Sequence, residues 1–444
     1  MAGKPSTWSL RSGERRLLIG SFLVILAGYA MPLLVRYSNA PTLSWTDALP
    51  LAGFAIMLLL GHGLLVAGRF HGDQVLYPVA MLLAGLGWLA QIRLGTIDLN
   101  ALSLSAAYLP VSGWGLMIGT ALFLSRGRAA RLEQLSLLCL FLSVAVLGAI
   151  LVFGQRFRGA LYLPGGINPA EIVKLLLIIF LSGFLVTFRK ELGRTVVGVV
   201  PAPPWKTLLG LGALWALPMG LLVLQRDLGM ILLLNLVLLA LLVLITGQVG
   251  YLLLGLLATV TLGVAVFSIF PHGQARFAVW LDPFADPTGK GWQILQSLSA
   301  MYSGGLWGRG LGAGSPSAIP IAESDFVYAA WAEEAGFIGC GLLLLAFALL
   351  FSRGLAIAER EKDPFSRNLA AAIVLVLSFQ ALLNLGGVTK AIPMTGIPLP
   401  FISHGGSSLI TTFLLVGTLL GLSDGGKPAR PSGGNRRPRK TRRR

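Results

Sequence analysis

Apolar residues run along this chain in blocks of about 18 to 22, each closed by a short polar stretch, the length that a bilayer core demands of a helix. Twelve blocks can be counted, at about 17–35, 48–68, 75–92, 106–125, 135–154, 168–188, 206–224, 228–246, 250–270, 326–352, 368–388 and 404–422. The pattern predicts an all-α polytopic membrane protein with about twelve transmembrane helices. Only Gln225, Arg226 and Asp227 part the seventh and eighth blocks, which reads as a tight charged turn, with a single broken helix as the alternative. Between the ninth and tenth blocks lies one long interruption, 271–325, rich in Gly, Ser and Pro. A polar loop of that length among lipid-soluble helices is more often functional than a mere connector.

Composition agrees with this pattern. Of 444 residues 55% are hydrophobic and only 12% charged, which excludes a soluble protein of this size. The net charge of +17 is concentrated in a few connections and in the tail Arg436, Arg437, Arg439, Lys440, Arg442, Arg443, Arg444. With an even number of spans, Arg126, Arg128 and Arg131, then Arg189, Lys190 and Arg194, then Arg353, Arg360, Lys362 and Arg367 share one side with both termini. The positive-inside bias makes that side cytoplasmic, so 271–325 faces outward, as do 155–167 and 389–404. The same bias, with attraction of the tail to anionic membrane lipid, explains the charge without nucleic acid. Residues 1–16 read as a basic cytoplasmic N-terminus and 424–444 as a disordered basic tail. The first block is too long for a signal peptide and lacks a small-residue cleavage site, so it reads as a retained helix. Cys139 and Cys340 lie in apolar blocks as inert core residues, and the four histidines are too dispersed for zinc.

Several polar residues stand out against this background. Asp325 closes the long loop just before an apolar run, either as a helix N-cap or as a general base at the membrane surface. Glu323, Arg309 and Lys290 beside it also fit a solvated loop. Glu171 and Lys174, spaced i, i+3 after Pro169, predict an ion pair that is either structural or functional. Arg226 and Asp227 either line an outward cavity or form a wet turn. Glu333 and Glu334 fall about two turns into the tenth helix, so at least one must face protein or water. After Lys390, Pro393, Pro398 and Pro400 forbid a regular helix, and irregular backbone near a membrane must be buried in protein or line a cavity. His404, Gly405, Gly406, Ser407 and Ser408 then open the last helix, whose free N–H groups suit either an anion such as a pyrophosphate or close packing. The glycine-rich run 308–314 has neither the spacing nor the context of a dinucleotide or P-loop motif.

The stretches GWQILQSLSAMYSGGLWGRGLGAGS, ESDFVYAAWAEEAGFIG, QRDLG, NPAEIVK and TGIPLPFISHGGSS resemble the SEDS family (shape, elongation, division, sporulation), which includes RodA and FtsW. The resemblance covers about residues 75–422, and GGVTKAIPMTG leans towards the RodA branch. It implies a ten-helix membrane domain over 75–423, preceded in 17–74 by two additional helices. It also implies a peptidoglycan glycosyltransferase of the bacterial plasma membrane that polymerises lipid II into a nascent glycan strand, beside a class B penicillin-binding protein. By motif, Asp325 corresponds to the family's essential carboxylate, and Glu171 and Lys174 to its Glu–Lys pair. The chain departs from the pattern at Arg226, where Pro is usual, at NPAE, and at QRFRGALYLPGG, which puts contacts near Arg156 and Arg158 in doubt.

The implied chemistry is inverting transfer with release of undecaprenyl pyrophosphate and Asp325 as base. Arg226, Arg309, Lys390 or a divalent cation (Mg or Mn, held by unknown ligands) would supply positive charge to the leaving group. Two other classes stay open: a lipid II flippase or transporter, which needs a polar path through the membrane, and a scaffold for a penicillin-binding protein, which needs no carboxylate at 325.

Overall fold

The computed structural model describes residues 11–39, 45–96, 104–157, 160–162, 168–197, 200–269 and 271–425; most of the basic tail, the first ten residues and Arg158 lie outside them. Fourteen helices are built from the described residues: α1 (Ser12–Asn39), α2 (Leu49–Ala67), α3 (Leu76–Arg93), α4 (Leu104–Leu124), α5 (Ser136–Phe153), α6 (Ala170–Leu192), α7 (Trp205–Gln225), α8 (Leu228–Thr246), α9 (Gly250–Ile269), α10 (Pro271–Leu281), α11 (Trp292–Gly304), α12 (Val327–Arg360), α13 (Pro364–Val388) and α14 (Gly406–Leu422). Nine are long and apolar enough to cross a membrane, and the shorter apolar helices Val111–Leu124, Gly250–Gly263 and Gly406–Leu422 fall on the other predicted blocks. The chain is a multi-pass membrane protein.

Enclosure differs between helices as a bilayer solvent dictates. α13 is central, packed on α6, α8, α12 and α14, and its apolar residues are buried nearly all round. α1, α2, α5 and α12 leave large apolar side chains such as Ile19, Leu59, Phe141 and Leu345 uncovered, as lipid-facing helices do. Contacts sort the connections to two ends. Arg11 at the start of α1 reaches the carbonyls of Phe70, Gly72 and Asp73 between α2 and α3. Arg353 near the end of α12 pairs with Asp73, and Ser423 after α14 accepts from the Asp73 N–H. This is the terminal end. The opposite end carries the long loop and the starts of α6, α8, α12 and α14.

The interruption at 271–325 is not plain loop, because it holds the short helices α10 and α11, whose amphipathic sequences need the rest of the protein to cover one face. The connections at 155–162 and 195–201 form two-stranded antiparallel hairpins, β1 (Gln155–Phe157) with β2 (Ala160–Tyr162) and β3 (Thr195–Val197) with β4 (Val200–Pro201). The seven-to-eight connection is the tight turn. Arg226 adopts the left-handed region (φ 64) as C-cap of α7, and Asp227 caps α8 by accepting from the Met230 N–H at 3.1 Å.

The tenth span is broken. Gly336 has φ 65 and ψ −171 inside α12, so the carbonyls of Glu333 and Glu334 lose their helical donors, while the N–H groups of Phe337 and Ile338 lose their acceptors. The long loop satisfies all four groups. Arg309 N–H donates to Glu333 O and Gly310 N–H to Glu334 O, both at 3.0 Å, while Phe337 and Ile338 donate to Gly305 O at 2.9 Å and Leu306 O at 3.1 Å. Such satisfaction is what permits non-helical backbone near hydrocarbon. A Cβ on Gly336 would stand 2.2 Å from the Gly308 nitrogen, so the close approach requires glycine in addition to the positive φ.

Candidate active site

The proline-bearing segment from Thr389 to Gly405 has no helix and crosses the loop end as an irregular ribbon. Its carbonyls are claimed by amide side chains from the spans. Asn384 Nδ2 donates to Ile397 O at 2.9 Å, Gln380 Nε2 to Pro398 O at 2.9 Å, and Gln91 Nε2 to Ile402 O at 2.9 Å. The same amides hold the stretch around Asp325. Asn384 Nδ2 also donates to Asp325 O at 3.2 Å, and Gln91 Nε2 to Glu323 O at 3.0 Å. The Ser403 hydroxyl donates to Ser324 O at 2.5 Å and the His404 N–H to Glu323 O at 2.7 Å. Three successive carbonyls, at 323, 324 and 325, are thus pinned to α3, α13 and the ribbon.

Asp325 is not the N-cap of its helix, which corrects the structural reading of that carboxylate. The cap position of α12 is Phe326 and has no side-chain cap bond. The Asp325 side chain takes a bond from the Ser324 hydroxyl at 3.3 Å, and the next two residues along the chain, Phe326 and Val327, are nearly fully buried. A half-buried carboxylate on a rigid main chain, beside apolar residues, is the arrangement a general base needs.

Glu171 and Lys174 meet at 2.5 Å in the first turn of α6, both buried. Lys174 Nζ also donates to Gln380 Oε1 at 2.8 Å, which links the pair through one amide to the ribbon at Pro398 and to Ser408 Oγ at 3.5 Å. Asp227 lies close enough to feel the charges of Glu171, Lys174 and Arg276. Burial pushes the Asp227 carboxyl above its ordinary range, Glu171 adds to that, and the Met230 N–H with the two cations opposes it.

Glu333 and Glu334 are both buried and both face protein, so the predicted polar groove is filled by the loop. Arg93 Nε pairs with Glu334 Oε1 at 2.6 Å, and Gly312 N–H donates to Glu334 Oε2 at 3.1 Å. Ser315 N–H donates to Glu333 Oε1 at 3.0 Å, with Arg309 at 3.4 Å from the same oxygen. Arg309 is therefore a fastening of the loop rather than a cation held ready for a ligand.

The other predicted positions scatter. Lys390 is half-buried, with Nζ 3.5 Å from Leu281 O, and Arg226 is exposed at its turn. His404 is exposed and acts through its backbone, as does Glu323. Ser407 Oγ accepts from the Asn168 N–H at 3.0 Å, so the start of α14 joins the start of α6. The side chain of Arg156 lies outside the described residues, like Arg158. Sequence reasoning missed Gln91, Gln380 and Asn384, although an amide inside an apolar block was itself a signal. It also missed Arg93 and Arg276. Arg276, on α10, donates from Nη1 to Met394 O at 3.1 Å. Among the described residues no three His, Cys, Asp or Glu side chains converge as a metal-binding group.

Comparison with known proteins identifies the family. Residues 74–427 match the family model for the FtsW, RodA and SpoVE cell cycle proteins. Peptidoglycan glycosyltransferase RodA of Mycobacterium tuberculosis (strain ATCC 25618 / H37Rv) is 34% identical over 448 residues, covering 96% of this chain and 92% of the relative. Stage V sporulation protein E of Bacillus subtilis (strain 168) is 35% identical over 298 residues, 66% of this chain and 78% of the relative. Among solved structures, a chain from work on the structural coordination of polymerization and crosslinking by a peptidoglycan synthase complex is similar with a TM-score of 0.61 at 29% identity. That match covers 79% of this chain and 96% of the other. The rod shape determining protein RodA of Thermus thermophilus gives 0.55 at 26% identity, over 81% and 98%. On the family match and on the relative that spans nearly its whole length, the chain belongs to the FtsW, RodA and SpoVE family of cell cycle proteins.

Proposed function

We propose that this chain is a peptidoglycan glycosyltransferase of the bacterial plasma membrane that polymerises lipid II, with Asp325 as general base and a class B penicillin-binding protein as partner. The observation that carries the reading is the pinning of Asp325 by the carbonyls at 323, 324 and 325, at the junction of the long loop with a span. The basic connections at Arg126, Arg128 and Arg131 and at Arg189 and Lys190 support an outer position for the loop end, by the positive-inside bias. Named relatives with this activity, and a structural neighbour from a peptidoglycan synthase complex, support the substrate and the partner.

In the reaction, the carboxylate of Asp325 takes the proton from the 4-hydroxyl of the acceptor GlcNAc. The oxygen bonds to the anomeric carbon of the donor MurNAc as that carbon's bond to pyrophosphate breaks. Undecaprenyl pyrophosphate leaves with the bonding pair, and the anomeric centre inverts. Flanking apolar residues help by desolvating a carboxylate that in water is a weak base. Transport is less well supported, since Glu171, Lys174, Asp227, Glu333 and Glu334 lie within the first two turns of their helices rather than at mid-span.

Purified protein with its penicillin-binding partner is given purified lipid II, and glycan is resolved by length, with and without a chelator. Glycan from wild type and none from Asp325→Asn, with partner binding equal, is the expected result. Equal glycan from both moves the base elsewhere. Absence of glycan from wild type in an intact complex removes the enzymatic reading.

A further inference from the structure

The mechanism leaves its pyrophosphate without an assigned cation: Arg309 leans on Glu333, half-buried Lys390 reaches the Leu281 carbonyl, and Arg226 lies exposed at its turn. Arg276 answers that need on three independent grounds. Its guanidinium lies across the ribbon, with Nη1 on Met394 O and Nη2 3.3 Å from where a Cβ of Gly396 would stand. Only one of its five N–H donors is engaged by that bond, and no carboxylate forms an ion pair with it among the described residues.

The hydroxyl of Thr395, the ribbon residue between Met394 and Gly396, is the second ground. Its Oγ1 is buried and has no hydrogen-bond partner among the described residues. A buried hydroxyl without a partner is costly unless something fills the role. The first turn of α8 closes the other side, with Gly229 against the Thr395 carbonyl at 2.5 Å from a would-be Cβ. Asp227 on that turn has its carboxylate engaged as the cap of α8 by the Met230 N–H, and forms no ion pair with Arg276 among the described residues.

The third ground is the setting. α10 presents Phe277 and Leu281 uncovered, with Phe284 just beyond, while Trp280 donates to Lys390 O at 3.0 Å. A cation flanked by uncovered apolar and aromatic side chains at a membrane surface fits a ligand that is anionic at its head and hydrocarbon at its tail.

We propose that Arg276 and the Thr395 hydroxyl form the subsite for the pyrophosphate of the polyprenyl-linked donor, and so for the leaving group. This rests on the glycosyltransferase reading above. Asp325 and the subsite flank one short stretch of ribbon, since Asn384 Nδ2 bonds both Asp325 O and Ile397 O. As the bond breaks, the pyrophosphate oxygen gains the electron pair, and the guanidinium meets that charge with charge-assisted hydrogen bonds.

The test measures binding of undecaprenyl pyrophosphate, undecaprenyl monophosphate and inorganic pyrophosphate to the full-length protein in complex with its partner, alongside polymerisation. Arg276→Gln keeps a donor for Met394 O without the charge, Arg276→Lys keeps the charge, and Thr395→Val removes the hydroxyl at nearly constant volume. Wild type should prefer the pyrophosphate lipid to the monophosphate. Arg276→Gln should weaken the pyrophosphate lipid about 10-fold to 100-fold and abolish that preference, with Arg276→Lys recovering part of it and Thr395→Val losing about 2-fold to 10-fold. Loss of affinity for both lipids alike would show that Arg276 merely holds the ribbon, which overturns the proposal. So would unchanged binding, or inorganic pyrophosphate binding that ignores all three variants. Where wild type still makes glycan, such a result overturns the subsite and leaves the activity standing. Wild type that neither makes glycan nor binds the pyrophosphate lipid removes both.

Discussion

Three carboxylates lie within ten residues at the start of α12, and the protein treats them in two ways. Glu333 and Glu334 are buried, and their side chains are engaged in holding the loop through Arg93, Arg309 and the N–H groups of Gly312 and Ser315. At Asp325 it is the main chain that is held, by amides of α3 and α13 and by the ribbon. The two glutamate side chains serve as fastenings of the loop, whereas the aspartate side chain is held in place through its own main chain. The first arrangement supplies rigidity and the second uses it.

That contrast can be broken by mutation, in descending order of effect. Asp325→Asn should lower turnover about 100-fold to 10,000-fold while leaving thermal denaturation unchanged. Glu334→Ala strips a buried ion pair of one partner, and the loop should lose about 3–5 kcal/mol of protection, read by hydrogen exchange at the Arg309, Gly310, Phe337 and Ile338 amides. Gly336→Ala forces a Cβ against Gly308 at positive φ and should cost about 1–3 kcal/mol by the same measurement. Arg309→Ala should cost less than about 1 kcal/mol, because its side chain is 49% exposed. An Arg309 effect as large as that of Glu334 would mean that the ranking by burial is wrong.

Much of this was legible in the sequence, for local reasons. Runs of apolar residues place the spans because a bilayer imposes length, and the i, i+3 spacing places Glu171 against Lys174 whatever the tertiary fold. The burial of Glu333 and Glu334 followed from their depth in a helix. What they bind did not, because Arg93 and the 309–315 loop arrive from elsewhere in the chain. The break at Gly336 was equally hidden, since its four backbone bonds are made with residues some 30 positions away, and no local pattern encodes such an exchange. Arg276 was passed over because its short amphipathic helix reads as loop when its covering partner is unknown. Gln91, Gln380 and Asn384 were visible as polar residues in apolar blocks, but only the ribbon explains them.

The most direct measurement is the polymerisation rate from saturating lipid II for Asp325→Asn and Glu334→Gln, each in complex with the partner and normalised to the folded fraction. The account predicts that the Glu334 variant, though less stable, retains most of its activity per folded molecule while the Asp325 variant retains almost none. Activity per folded molecule that survives in Asp325→Asn but vanishes in Glu334→Gln would contradict it.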